Sequence, residues 1–275
     1  MEFMGILNIT PDSFSDGGKY ANLETIVARA KEMVAEGASC IDVGGESTRP
    51  GAELVTEQEE LQRVIPVIKR LAKEVKVPIS IDTYKAEVAR QAVAAGAAMI
   101  NDIGGGCFDP KMPEVMAKTG ARVILMHNRS VKTLNTGTLT DYHDIVDDVK
   151  RELQENIDLV LEAGVSPNKI IIDPGIGFAK TIEGNIELLQ RIEELHEMKY
   201  PILLGVSRKG TIGHLLGGLD VNNRTEGTVG ATCYAISKGV QIVRVHDVLE
   251  NVRAAKVMEA LTPTSSNEVK CVRFD

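Results

Sequence analysis

Residues 169–181 read KIIIDPGIGFAKT, and this stretch decides the fold. Three isoleucines make a short run suited to burial on both faces. Asp173 ends the run, and a glycine-rich turn carrying Phe178 and Lys180 leads into an apolar-periodic segment. That is a strand feeding a helix, the repeating unit of a parallel sheet. The same reading applies to MGILNI (4–9), CIDVGG (40–45), PISID (78–82), MINDI (99–103), RVILMH (122–127), PILLGVS (201–207) and VQIVRVH (240–246). Amphipathic stretches are predicted at Leu23–Ala35, Glu57–Lys73, Lys85–Ala95, Pro113–Lys118, Ile145–Ala163, Ile182–His196, Gly227–Ser237 and Val248–Leu261. Eight βα units in 275 residues fit one closed (β/α)8 TIM barrel, an α/β fold, better than a doubly wound sheet of five or six strands. No Pro/Ser-rich linker divides the chain. The barrel is therefore expected over residues 1–261, and the tail 262–275, opening TPTSS, is expected to be partly disordered.

Composition narrows the function. Hydrophobic residues at 43% and charged residues at 25% exclude disordered and fibrous classes. A net charge of −8 argues against a generic nucleic-acid or anionic-membrane surface, so an anionic substrate must meet a local basic cluster. Trp is absent and aromatics are 4%, which disfavours a stacking platform for bases. The start MEFMGILNIT has no signal-like apolar run and no stretch reaches membrane-helix length, so a cytoplasmic protein is expected. Cys40, Cys107, Cys233 and Cys271 lack metal-ligand spacing and read as reduced packing thiols.

Polar residues gather at the carboxyl ends of the strands, where barrel enzymes build their sites: Asn8, Asp42, Asp82, Asn101 with Asp102, His127 with Asn128, Asp173, Ser207 with Arg208 and Lys209, and Arg244 with His246. Helix capping accounts for single Asp, Asn or Ser residues there but not for Lys, Arg and His. Asp82, Asn101 and Asp173 offer acceptors and an amide suited to the edge of a planar heterocycle carrying an aminopyrimidinone. The competing reading of Asp173 is a buried structural acid, which needs donors of its own. Lys209, Arg244, His246 and the loop residue Arg49 are expected to stand opposite as a cationic set suited to a phosphate or diphosphate, with structural ion pairing as the competing reading for Arg244. Arg244 and His246, alternating with Val245, should face the same side of their strand. NITPDSFSDGG (8–18), with Phe14 in its middle, reads as a mobile lid, and GGESTRPG (44–51) as a second ligand-facing loop. No Walker or dinucleotide glycine motif is present. Asn8 together with a diphosphate could hold one magnesium, mostly through water and phosphate oxygens.

GILNITPDSFSDGG, GGESTRPG, SIDTYKAEVA, INDI, MHNR, IDPGIGFAKT, GVSRKG, EGTVGAT and RVHDV occur in this order across about residues 4–258. In them the chain closely resembles the bacterial dihydropteroate synthase family, the sulfonamide targets of folate synthesis. The resemblance implies a transferase, usually homodimeric and assisted by Mg2+, that joins 6-hydroxymethyl-7,8-dihydropterin diphosphate to 4-aminobenzoate with release of pyrophosphate. Carried over to matching positions, it implies that Asp82, Asn101, Asp173 and Lys209 bind the pterin, with Ile103, Met126 and Phe178 lining its pocket. Asn8 would approach the metal, and Arg244 and His246 would grip the diphosphate. Phe14, Thr48, Arg49 and Pro50 would complete the aminobenzoate site on the two loops, with Asp16 as a further loop residue helping to stabilise a methylene cation. An arylamine needs no strong base, so a dissociative substitution is expected, and no nucleophile-plus-base pair is called for.

Two departures from the family stand out. Gly210 and Thr211 replace a Ser and a bulky apolar residue, which leaves a backbone N–H and a helix N-terminus for the aminobenzoate carboxylate. Gly104-Gly105-Gly106 is richer in glycine than usual and is expected to loosen the pterin mouth. Two other readings share part of this pattern. A methyltetrahydrofolate-dependent methyltransferase would share the pterin-edge ligands but not need the two loops or the RVH cations. A catalytically silent pterin-binding relative would be marked by tight binding without turnover.

Overall fold

The computed structural model describes residues 1–9, 18–47, 54–130 and 140–261, with 18–22 as helical backbone only. The strands are β1 (Glu2–Asn8), β2 (Cys40–Gly44), β3 (Ile79–Asp82), β4 (Met99–Asp102), β5 (Arg122–Met126), β6 (Ile170–Asp173), β7 (Leu203–Leu204) and β8 (Ile242–Val245). The helices are α1 (Gly18–Glu36), α2 (Glu57–Glu74), α3 (Ala86–Ala95), α4 (Met112–Thr119), α5 (Ile145–Glu162), α6 (Ile182–Gln190), α7 (Gly210–Leu215), α8 (Thr225–Ser237) and α9 (Val248–Leu261). All strand pairs are parallel, in the order β6-β5-β4-β3-β2-β1-β8-β7. One bridge, Ile172 to Ile202, joins the two ends. The result is a nearly closed (β/α)8 barrel.

Strand β7 is shorter than its sequence suggests. Pro201 has no N–H to give a ladder, and the Ile202 N–H donates to the Gln241 side chain at 2.7 Å. Helix α6 also stops early: a 3-10 segment, Ile192–Met198, follows the break at Arg191, whose guanidinium is held by Asp144, Glu187 and Glu194. Between β7 and α8 lies α7, whose sequence GTIGHL hides a helix behind two glycines of low helix propensity.

Period-2 alternation along the strands builds the barrel interior in layers. The lower layer is apolar, with Met4, Cys40, Met99, Ile124, Ile171, Leu203 and Ile242 packed as one buried cluster. Two residues further along the same strands come Ile6, Asp42, Asn101, Met126, Asp173, Gly205 and Arg244, and on β3 Ser80 is followed by Asp82. The second layer is thus mostly polar, although Asp42, Asn101 and Asp173 are buried. A much larger apolar core lies between the outer faces of the strands and the helices, from Phe3 and Leu7 round to Val252 and Ala255. Among the described residues no helix is long and apolar enough to cross a membrane. Cys40, Cys107 and Cys233 form no disulfide among the described residues, while Cys271 and the tail 262–275 lie outside them.

Candidate active site

A cavity of about 730 Å³ opens over the carboxyl ends of the strands. Asn8, Asp82, Phe178, Lys209, Arg244 and His246, all picked out from the sequence, line it. Asn101, Met126 and Asp173 lie in the buried layer beneath, and Ile103 is half-buried in the turn after β4. Phe14, Asp16, Thr48, Arg49 and Pro50 lie outside the described residues.

The cations do not stand opposite the acids, as the sequence suggested, but interleave with them. Arg244 donates from Nε to Asp42 Oδ2 and from Nη2 to Asp82 Oδ2, both at 2.6 Å. The Asn101 amide donates to the same Asp42 oxygen at 3.0 Å. Asp173 Oδ2 and Lys209 Nζ flank Gly205, 3.6 and 3.9 Å from where a Cβ would stand, so the missing side chain keeps the floor open between them. Three carboxylates therefore share two cations. Burial pushes Asp82 above the ordinary carboxylate range, with Arg244 pulling it back, and raises Asp173 likewise against the pull of Lys209. Burial also brings Lys209 down to about 8. Such a floor, short of one positive charge, suits a ligand edge that brings N–H donors.

Asp42 received no role from the sequence, yet it anchors both Arg244 and Asn101. Its signal was there in the alternation: it stands two residues after Cys40, on the inward face. His127, by contrast, turns away from the cavity and is buried against α5, Nε2 lying 3.1 Å from Glu152.

Two strained turns present the site residues. Arg208 has φ 57°, held by a two-pronged ion pair to Asp247 and by its N–H donating to Thr228 Oγ1 at 3.1 Å. That turn points the next residue, Lys209, to the floor, where Nζ donates to the Ile176 carbonyl at 2.5 Å. In the turn after β6, Gly175, Gly177 and Ala179 all have positive φ, the last at 47°, a conformation that costs a residue with a Cβ about 1–2 kcal/mol. A Cβ on Gly175 would lie 1.9 Å from the His127 carbonyl oxygen, so glycine is required there. This turn sets the Phe178 ring 4.6 Å from Lys209 Nζ. Just after β8, the His246 backbone N–H donates to Ser207 Oγ at 3.1 Å, and the same Oγ lies 2.9 Å from Nδ1, which fixes the ring against Ser207.

The glycine run does not loosen the mouth. Asp102 accepts the N–H groups of Gly104 and Gly106 at 2.7 and 2.8 Å, and a Cβ on Gly105 would meet the Met126 carbonyl oxygen at 2.8 Å. The triplet is a close-packed turn that admits only small residues. Gly210 is exposed with nothing within 4 Å of a Cβ position, while Thr211 lines the cavity with its hydroxyl buried and without a hydrogen-bond partner among the described residues.

A metal would find one neutral ligand here. Asn8 is exposed to the cavity, and its Oδ1 lies beside Asp82 Oδ2 across Gly44. Among the described residues no group of three or more His, Cys, Asp or Glu side chains is placed to hold an ion. That donor set fits a hard divalent cation whose other ligands are substrate phosphate oxygens and water.

A (β/α)8 barrel with carboxylates, an amide and paired cations in the layer beneath its open mouth has the build of an enzyme site for a polar small molecule. Known proteins agree with that reading. Residues 4–246 match the family of pterin binding enzymes. The dihydropteroate synthase of Bacillus subtilis is 52% identical over 258 residues, 94% of this chain and 87% of that protein. The crystal structure of dihydropteroate synthase from Clostridium difficile in the presence of pteroic acid superposes with a TM-score of 0.88 at 49% identity, covering 94% of this chain and 96% of that one. The Xanthomonas albilineans enzyme with 4-aminobenzoic acid gives 0.88 at 43% identity, covering 96% and 94%. The chain belongs to the dihydropteroate synthase family.

Proposed function

We propose that this chain carries out the transfer reaction of its family, joining 6-hydroxymethyl-7,8-dihydropterin diphosphate to 4-aminobenzoate by a dissociative substitution. The observation that carries the reading is the interleaved floor of Asp42, Asp82, Asp173, Arg244 and Lys209 under the cavity. Asp173 and Asp82 accept N–H groups from the aminopyrimidinone edge, with Asn101 beside them, and Lys209 donates to the ring. Arg244 keeps three of its five N–H groups after serving the two carboxylates, and His246 lines the same cavity. Both are placed to receive the diphosphate.

The C–O bond to the diphosphate breaks first, and the leaving group takes the electron pair. The electron-rich pterin carries the methylene cation. The amine lone pair of 4-aminobenzoate then forms the C–N bond, and the nitrogen releases its proton to the departing pyrophosphate or to water. Lys209 and Arg244 offset the charge developing on the leaving group, a job for fixed donors in a dry site. Loss of water from the closed site protects the cation, and the loop residues Phe14, Asp16, Thr48, Arg49 and Pro50 are assigned that closure. A bound Mg2+, held by Asn8, would supply charge neutralisation on the diphosphate. A cavity of about 730 Å³ holds both substrates at once.

We assign the chain to folate synthesis in the cytoplasm and to a homodimer. Support for the dimer is the run of exposed apolar side chains on the last helices and their connections: Leu215, Leu216, Leu219, Tyr234, Val257 and Leu261. The test of the function is pyrophosphate release from the pterin diphosphate with Mg2+, with and without 4-aminobenzoate, alongside dihydropteroate formation. Release that depends on the amine and matches product is expected. Release without product would refute a competent aminobenzoate site, and pterin binding with no release would return the reading to a methyltransferase or a silent relative.

A further inference from the structure

We propose that Lys180 is a positioning residue for the aromatic wall of the cavity, acting through the carbonyls of the turn after β6 to hold the Phe178 ring in place. The part that concerns the pterin rests on the function proposed above; the geometry of the turn does not.

The turn needs an outside restraint. Three of its residues between Gly175 and Ala179 are left-handed, and one of these, Ala179, has a Cβ. The turn closes on itself with one backbone bond, the Phe178 N–H to the Gly175 carbonyl at 3.1 Å. Lys180 supplies the restraint. Burial brings Lys180 down to about 7, and in its protonated form three hydrogens meet three acceptors: the Gly175 carbonyl at 3.0 Å, the Phe178 carbonyl at 3.1 Å and His127 Nδ1 at 2.8 Å. Although the residue lines the cavity, its ammonium keeps no hydrogen for a ligand. Its work is therefore done on the turn.

The His127 ring completes the device. Because Nδ1 accepts from Lys180, the proton sits on Nε2 and is donated to Glu152 at 3.1 Å. Glu152 is fixed by Arg129 at 2.6 Å, and the Arg129 guanidinium stacks 3.7 Å above the Tyr142 ring. Tyr142 reaches back to the same turn and donates to the Ala179 carbonyl at 3.0 Å. Asn185 closes the remaining side, accepting the Gly177 N–H at 2.7 Å. A continuous path thus runs from α5 through Glu152, His127 and Lys180 to the backbone that carries Phe178.

The experiment labels the phenylalanines of the full chain with 4-fluorophenylalanine and follows them by 19F NMR, the Phe178 line being assigned with Phe178→Leu. Lys180→Ala is compared with the parent, and Lys180→Met serves as the variant that keeps the volume filled and the fold intact. In both, the Phe178 line should shift and broaden while those of Phe3 and Phe108 stay put. Methylammonium, but not sodium, should restore it in Lys180→Ala by refilling the ammonium position. Affinity for 6-hydroxymethylpterin should fall roughly tenfold, equivalent to about 1.4 kcal/mol, with KM for 4-aminobenzoate within about twofold. An unmoved Phe178 line in Lys180→Met overturns the proposal whatever the activity. So does a parallel loss in both ligands without methylammonium rescue, the mark of a merely structural residue. A parent protein that makes no dihydropteroate while the line still moves would overturn the proposed function and leave the positioning role standing.

Discussion

Replacing Arg244 by methionine tests the electrostatic account of the floor. The guanidinium holds Asp42, which is fully buried, and Asp82, each at 2.6 Å. Methionine keeps the packing of the stem and removes the charge. Taking one partner from a buried ion pair costs about 3–5 kcal/mol, because the other charge is left in low dielectric. At about 2–4 °C per kcal/mol for a domain of this size, the melting temperature should fall by about 6–20 °C at pH 8. The deficit should depend on pH. Asp82 already lies above the ordinary carboxylate range through burial, and Arg244 pulls it down, so loss of the arginine raises it further. A carboxyl raised in the folded state takes up protons on folding. Its stabilising contribution is present below the unfolded value near 4 and is lost as pH rises through the folded value. The variant should thus come closest to the parent at low pH. Adding Asp82→Asn should restore part of the melting temperature without restoring diphosphate binding. Differential scanning calorimetry of the three proteins from pH 5 to 8 checks all of this. A melting temperature within about 2 °C of the parent at pH 8 would refute the idea that Arg244 neutralises the floor. In titrations, the pterin diphosphate should lose about 1.5–3 kcal/mol more than the free pterin, roughly 10- to 150-fold.

Asp173→Asn should weaken 6-hydroxymethylpterin binding by a few kcal/mol at most, since an amide N–H would face a ligand N–H; fluorescence titration with unchanged affinity would reject the assignment. Thr211→Val removes a buried hydroxyl that has no partner among the described residues, so stability should be unchanged or raised by up to about 1 kcal/mol, read as a melting temperature at or slightly above the parent's. If that hydroxyl instead serves the aminobenzoate carboxylate, KM for the amine will rise, which steady-state kinetics would show. Asn8→Ala should raise the Mg2+ concentration needed for half-maximal rate while leaving free-pterin affinity unchanged; an identical Mg2+ curve would remove Asn8 from the metal site.

The fold was legible because each strand is a short apolar run with a polar residue at its end, and period 2 then places every inward side chain. The same rule set Asp82, Asn101 and Asp173 on one floor and put Arg244 and His246 on the same side. It could not say which charges touch. Asp42 on β2 meets Arg244 on β8 across β1, a neighbour relation that exists only once the barrel closes. The shortness of β7 was hidden for a similar reason, because it depends on a side chain from far along the sequence, Gln241, taking the Ile202 N–H. His127 looked like a mouth residue by position and turned outward to Glu152, which a strand end adjoining a helix allows equally well.

The seam between β6 and β7 is the most sparsely paired join of the barrel. Among the described residues the Ile172–Ile202 bridge is its only strand pairing, yet the two arms of the floor stand on either side: Asp173 ends β6, and Lys209 follows β7. A ligand that bonds both arms therefore staples the barrel shut. Its binding energy goes partly into suppressing the opening of that seam, and amide exchange of residues 202–206 should slow on pterin binding more than that of β2 or β4. The linkage works in reverse as well: whatever loosens the seam, far below the mouth and without touching the ligand, will be felt as weaker affinity.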